Sequence, residues 1–247
     1  MERVVASIEA RMGSGRFPGK VLGDVAGKPA LTRLLDRLRL CRELDDIVLA
    51  TTTSEADDAL QAWAEAEGVK FYRGSEDDVL GRVIEAHRAT ETDIIVELTG
   101  DCILTDPEIV DLGVTTFKAH QVDYVSNVVI PGFPVGVYVQ VFRAMDLESI
   151  GRRVEDPEVR EHVSLYFYEH PEEYRLIHIL PPARWQHPEY RLCLDYPEDL
   201  ILIDSIYRLL EPKFGDSFGI EEMIDCLKSN PELAKINSHC EQLVPRS

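Results

Sequence analysis

Directly after the short apolar run Val4-Val5-Ala6-Ser7-Ile8 comes Glu9-Ala10-Arg11-Met12-Gly13-Ser14-Gly15-Arg16-Phe17-Pro18-Gly19-Lys20, a loop carrying three glycines and three cations. Gly13, Gly15 and Gly19 let the backbone turn tightly and bring N–H groups close to an anion, while Arg11, Arg16 and Lys20 add charge-assisted donors. The spacing matches neither a Walker A loop nor a dinucleotide fingerprint. The stretch reads as a polyphosphate cradle, with a solvated basic loop as the plain alternative.

The rest of the chain alternates strands with helices. Leu31, Leu34, Leu35, Leu38 and Cys41 recur at helical spacing, which predicts an amphipathic helix beginning at Pro29. Ile47-Val48-Leu49-Ala50-Thr51 is a continuous apolar strand of the kind buried on both faces of a parallel sheet. Ser54 with Asp57 and Ser75 with Asp78 read as capping boxes, each opening a helix; Gly68 ends the first, and the strand Val69-Lys70-Phe71-Tyr72 lies between the two. Ile94–Thr99 follows as a fourth strand, and Asp106-Pro107 starts a helix reaching about residue 119. Four such alternations predict an α/β fold, a Rossmann-like doubly wound and mostly parallel sheet with ligands at the carboxyl ends of its strands.

From Val122 the rhythm changes to period two over 122–125 and 135–141, around the turn Pro131-Gly132-Phe133-Pro134. This predicts an inserted or edge antiparallel ribbon. Helices are expected over 143–150, 157–169, 197–210 and 220–228, and further strands over 175–180 and 191–195. One domain over 1–242 accounts for all of this, with 122–190 as its insertion. Leu243-Val244-Pro245-Arg246-Ser247 resembles a protease-cleavage remnant and carries no weight in the fold.

A net charge of -19 argues against nucleic acid or an anionic membrane as partner. Yet residues 1–42 hold nine Lys/Arg against four acids, a local positive field suited to a small anion. The five cysteines are scattered and show no metal-ligand spacing, so they read as reduced thiols of a cytoplasmic protein. No apolar run approaches the ~18 residues of a membrane span.

Asp101, in the turn Thr99-Gly100-Asp101-Cys102, and Asp195, after Arg191-Leu192-Cys193-Leu194, both stand at predicted strand ends. Two carboxylates so placed suit Mg²⁺, which prefers oxygen ligands and is usually shared with substrate phosphates. The alternative for each is a turn or helix-capping role, and Asp195 does precede Tyr196-Pro197 at a helix start.

Taken together, Ala10-Arg11-Met12-Gly13-Ser14, Arg16-Phe17-Pro18-Gly19-Lys20-Val21-Leu22, Ala50-Thr51-Thr52, Arg73-Gly74-Ser75-Glu76-Asp77-Asp78-Val79-Leu80, Thr99-Gly100-Asp101-Cys102, Glu161-His162-Val163 and Asp195-Tyr196-Pro197-Glu198-Asp199-Leu200 resemble the spore-coat polysaccharide type of cytidylyltransferase. That group is akin to the enzymes activating 3-deoxy-manno-octulosonate and acylneuraminates. The resemblance spans residues 3 to about 210. It implies transfer of CMP from CTP to an acidic sugar or related acceptor, with Mg²⁺ as cofactor and pyrophosphate released. It further implies catalytic roles for Arg11, Arg16, Lys20 and Asp101, and metal ligation by Asp101 and Asp195. Ala10, Arg11, Gly13, Ser14 and Lys20 would border the nucleotide on one side, and Ala50, Thr51, Arg73, Ser75 and Asp78 on the other. Glu9, Gly15 and Phe17 depart from the family's usual Gln, Thr and Leu.

Glu161 and His162 are candidates to meet the acceptor, although their helix is largely apolar. Arg184, with Trp185 and His187, either clamps an acidic acceptor or packs a dimer interface. A homodimer through the ribbon is implied by the resemblance alone. Two rivals remain: a sugar-nucleotide glycosyltransferase, disfavoured because the 99–103 turn lacks an Asp-x-Asp, and a catalytically silent nucleotide-binding subunit.

Overall fold

The structure is a computed structural model and describes residues 2–242 and 245–246; Leu243, Val244 and Ser247 of the cleavage-like ending lie outside them. In chain order it comprises β1 (Val4–Glu9), the two-residue strands β2 (Asp24–Val25) and β3 (Lys28–Pro29), α1 (Ala30–Leu38), β4 (Asp46–Thr52), α2 (Asp58–Glu67), β5 (Lys70–Gly74), α3 (Val79–Ala89), β6 (Ile94–Thr99) and α4 (Pro107–Ala119). The second half adds β7 (Tyr124–Ser126), β8 (Gln140–Arg143), α5 (Ala144–Arg153), α6 (Pro157–Glu161), α7 (Leu165–Glu169), β9 (Leu176–His178), α8 (Pro197–Phe214) and α9 (Ile220–Ser229).

Seven strands form one sheet in the order β5-β4-β1-β6-β8-β7-β9, and β2 pairs with β3 in a separate hairpin. β5, β4, β1 and β6 run parallel to one another, whereas β8 runs antiparallel to both β6 and β7. The chain steps outward from β1 to β4 and β5, then returns across β1 to β6. That reversal opens a crevice at the carboxyl ends of β1, β4 and β6, where an open α/β sheet takes its ligand.

Both faces of the sheet are covered. Val4, Ala6 and Ile8 point into one apolar cluster with Leu31, Leu34 and Leu35 of α1, while Val5 points into the other with Leu80, Val83 and Phe167. This explains why the strands read as unbroken apolar runs rather than alternating ones.

Several local expectations are corrected. The period-two segments do pair antiparallel, as β7 with β8 toward the edge of the main sheet, but 135–139 is not a strand. There Asn127 replaces the ladder, its amide donating to Val137 O and accepting from Val139 N, both at 2.8 Å. Residues 191–195 are likewise no strand; Leu192 N–H donates to Val135 O and Leu194 N–H to Asp101 O. The helix expected over 157–169 breaks at His162, whose backbone is extended. Ser54 makes no capping bond, and Asp78 rather than Ser75 caps α3, through Gly81 N–H at 2.9 Å.

The N-terminal cations also divide. Arg33 and Arg37 are fully buried, stacked on Tyr207 and Phe218, with Arg33 paired to Glu211 and Arg37 donating to the carbonyls of Thr105, Asp216 and Phe218. They hold α1 to the C-terminal helices. Arg3, Lys28 and Arg39 are likewise paired, to Asp46, Asp36 and Glu67, which leaves Arg11, Arg16 and Lys20 as the cations carried by the glycine loop.

Candidate active site

The glycine loop leaves β1 and folds on itself. Gly19, at φ +74°, donates its N–H to Met12 O at 2.9 Å, closing a compact turn in a left-handed conformation that costs glycine little. One side chain anchors this turn to the sheet. Asp57, 1 % exposed, accepts Met12 N–H at 2.7 Å on one oxygen and both the N–H and hydroxyl of Thr52 on the other. The sequence pattern had assigned Asp57 to a helix start. Gly100 is required for close approach: a Cβ there would stand 2.9 Å from Ala10 Cβ and 3.1 Å from Glu9 O.

The loop's cations meet both aspartates. Lys20 Nζ lies 2.9 Å from Asp101 Oδ2 and 2.7 Å from Asp195 Oδ1, and Arg16 reaches the same Asp195 oxygen at 2.9 Å. Arg191 holds the other Asp195 oxygen at 2.6 Å. Burial by itself would raise the Asp195 carboxyl, but Lys20, Arg16 and Arg191 outweigh it and hold the group at about 2. For Lys20, burial acts against the charge, and the two aspartates more than offset it, so its ammonium is raised above the ordinary value. Thr99 donates its hydroxyl to Asp101 Oδ1 at 2.6 Å.

Behind Asp195 stands a support that the sequence reading missed. Asp199, fully buried in the first turn of α8, accepts the N–H groups of Asp195 and Tyr196, Arg191 Nε at 3.1 Å and Asn237 Nδ2 at 2.7 Å. Its signal was present as an acid three residues into a helix that opens with proline, a position normally credited to the helix dipole. Asn237→Ala is expected to cost about 1–2 kcal/mol in urea unfolding, because it leaves a buried acceptor one donor short. An unchanged midpoint would show that Asn237 contributes nothing to this support.

The remaining predicted residues are spread more widely. Arg11 sits at the exposed rim, 3.1 Å from Glu76, and Gly13 lies beside the same glutamate. Ser14 Oγ accepts Phe17 N–H at 3.5 Å within the loop. Ala10, Ala50 and Thr51 are buried at the sheet edge of the crevice, where Ala10 N–H donates to Ala50 O. Arg73 is committed to Thr52 O, Ser54 O, Asp58 and Gln61, so it clamps the segment after β4. Ser75 Oγ accepts Asp78 N–H, and Asp78 pairs with Arg160.

A cavity of about 380 Å³ lies next to the aspartates, its wall including Glu9, Glu97, Thr99, Gln140, Glu161 and His162. Arg184 is not brought to it; that side chain stacks on Trp185 and faces Glu221 of α9. Cys102 and Cys193 are buried beside the site, and burial pushes both thiols up, so neither is poised as a nucleophile.

With a triphosphate-type loop converging on paired carboxylates, comparison with known proteins becomes decisive. The family profile described as cytidylyltransferase matches residues 5–229. This chain belongs to the cytidylyltransferase family. It is 34 % identical to the spore coat polysaccharide biosynthesis protein SpsF of Bacillus subtilis over 241 residues, 95 % of this chain and 98 % of that one. A 3-deoxy-manno-octulosonate cytidylyltransferase of an Anaeromyxobacter species is 40 % identical over 115 residues, 45 % of each chain. Among solved structures, a cytidylyltransferase from Leptospira borgpetersenii superposes with a TM-score of 0.90 at 29 % identity, covering 99 % of this chain and 100 % of that one. The cytidylyltransferase fold thus accounts for the whole sheet and its crevice, including the strands beyond β6.

Asp101 and Asp195 already hold one cation between them, the Lys20 ammonium at 2.9 and 2.7 Å. With substrate phosphate oxygens and water completing the shell, they make an ordinary donor set for Mg²⁺, so the residues present fit that cofactor.

Proposed function

We propose that this cytidylyltransferase-family chain transfers CMP from CTP to a hydroxyl of an acidic sugar or related acceptor, for surface polysaccharide synthesis. The acceptor oxygen bonds to the α-phosphorus, the bond from that phosphorus to the bridging oxygen breaks, pyrophosphate leaves, and the hydroxyl's proton passes to solvent. What carries the reading is Lys20 suspended between Asp101 and Asp195, between the glycine loop and the cavity. The loop's N–H groups and Arg16 bind the triphosphate, and Lys20 follows the negative charge that grows there. Asp101 and Asp195 would hold Mg²⁺, which when bound neutralises phosphate charge. Glu161 and His162 meet the acceptor in the cavity. The five free cysteines suit a cytoplasmic setting, and exposed Val129, Ile130 and Leu180 near β7 and β9 suit contact with a second copy.

The test is pyrophosphate release by the purified protein with CTP, Mg²⁺ and a panel of 2-keto-3-deoxy acids, phosphonates and sugar phosphates. Asp101→Asn is expected to lower kcat by about 10²-fold, and Arg16→Ala chiefly to raise KM for CTP by about tenfold. Wild-type protein that binds CTP yet releases pyrophosphate with no acceptor would instead favour the silent nucleotide-binding reading.

A further inference from the structure

Two carboxylates in the acceptor cavity have oxygens with no protein donor. In the register of β1 with β6, Glu9 is opposite Thr99 and Glu97 opposite Ser7, so Glu9 and Glu97 point to the same side of the sheet on neighbouring strands. Both line the cavity, beside Thr99 and hence beside Asp101. Glu97 is only 5 % exposed, and neither its Oε2 nor Oε1 of Glu9 has a hydrogen-bond partner. Burial pushes Glu97 up to about 7 even though the Ser164 hydroxyl acts in the opposite direction. At Glu9 burial and the facing Glu97 both raise the carboxyl, and Arg82 only partly counters them.

The cavity wall holds no lysine or arginine among the described residues, and much of it is apolar, with Val128, Phe133 and Val135. A buried acid pair in such a setting is costly unless a ligand completes it. We propose that the acceptor of this enzyme carries a protonated amine, the ammonium of an amino sugar, which sits between Glu9 and Glu97.

The inference rests on the cytidylyl-transfer reading and specifies its acceptor. An ammonium brings three donors and a positive charge that favours the ionised acids, whereas a sugar hydroxyl brings one donor and no charge. Among the described residues, the one group of three His, Cys, Asp or Glu ligand atoms within mutual reach is His170, Glu172 and Glu173, so neither this pair nor Asp101 with Asp195 makes a three-ligand ion site by itself. A carboxylate on the same acceptor is turned away from this end of the cavity, where it would meet two acids.

The experiment measures pyrophosphate release with CTP and Mg²⁺ from matched acceptors. These are 3-deoxy-manno-octulosonate beside its 8-amino-8-deoxy analogue, and amino-deoxy hexose phosphates beside their hydroxyl and N-acetyl counterparts. At least one amine is expected to exceed both neutral counterparts by roughly 30-fold or more in kcat/KM. Glu97→Gln should bring that ratio to within about threefold, and Glu9→Gln gives the same readout should the first variant fail to fold. The proposal is overturned if neutral forms match their amines, if the ratio survives both substitutions, or if a protein that binds CTP uses no amine at all. Turnover of the neutral acceptors separates these outcomes from failure of the transfer reading, because that reading predicts pyrophosphate release from at least one acceptor, whereas a silent nucleotide-binding subunit binds CTP and releases none.

Discussion

Lys20→Met is expected to lower kcat by about 10³-fold while the nucleotide-free protein binds Mg²⁺ more tightly than the wild type. Both effects follow from one ammonium that contacts Asp101 and Asp195 at 2.9 and 2.7 Å. Without nucleotide, that ammonium occupies the space between the carboxylates that a cation would take, so a metal must displace it. With CTP bound, the proposed reaction places the same group beside the phosphates. Methionine keeps the buried stem and removes the charge, which leaves Asp195 its contacts with Arg16 and Arg191. Titration with Mg²⁺ alone, alongside steady-state pyrophosphate release, checks both halves. Normal turnover, or unchanged metal affinity, would show that Lys20 and the metal do not contend for the same pair of carboxylates.

Glu97→Gln is expected to stabilise the protein at pH 8 by about 3 kcal/mol and to leave it nearly unchanged near pH 4. The ordinary value for this carboxyl is 4.5, and burial holds it at about 7 in the folded state. Below the ordinary value both states carry the proton and nothing is lost. As pH rises from there, the unfolded chain gives up its proton while the folded one retains it, so stability falls until the folded group also ionises near neutrality. Glutamine cannot titrate and escapes that loss. Urea unfolding at the two pH values reads the difference directly. A gap of the same size at both would place its origin in packing rather than ionisation.

The parts of the fold that were legible in the sequence are those whose signal is local. The runs at 4–8, 47–51 and 94–99 could be read because strands buried on both faces must be apolar throughout. Asp106-Pro107 could be read because helix starts have their own chemistry, and Asp106 does accept from Glu108 N–H and Ile109 N–H. The errors share a different cause. Leu192, Cys193 and Leu194 are as apolar and buried as a strand, yet their backbone bonds go to Val135 and Asp101 rather than to a ladder, and composition cannot reveal a partner. Asp57 reads as a helix-start acid, and Asp199 stands at the same kind of position, so the nearest neighbours of each in sequence offer a sufficient explanation. Their decisive contacts are with Met12, 45 positions away, and Asn237, 38 away. Glu97 was passed over because an acid inside an apolar strand carries no pattern of its own, and only the cavity shows which way it faces.

Asn237 bears on where this enzyme can be cut. The family profile stops at residue 229, eight positions before it, so a C-terminal expression boundary drawn from that match would keep every strand and both Asp101 and Asp195. Such a shortened protein would nonetheless lose the amide that secures Asp199 and, through it, the backbone of Asp195. Its weakened chemistry would then be mistaken for a fault in the nucleotide site, when the missing piece is the Asn237 amide that acts through Asp199.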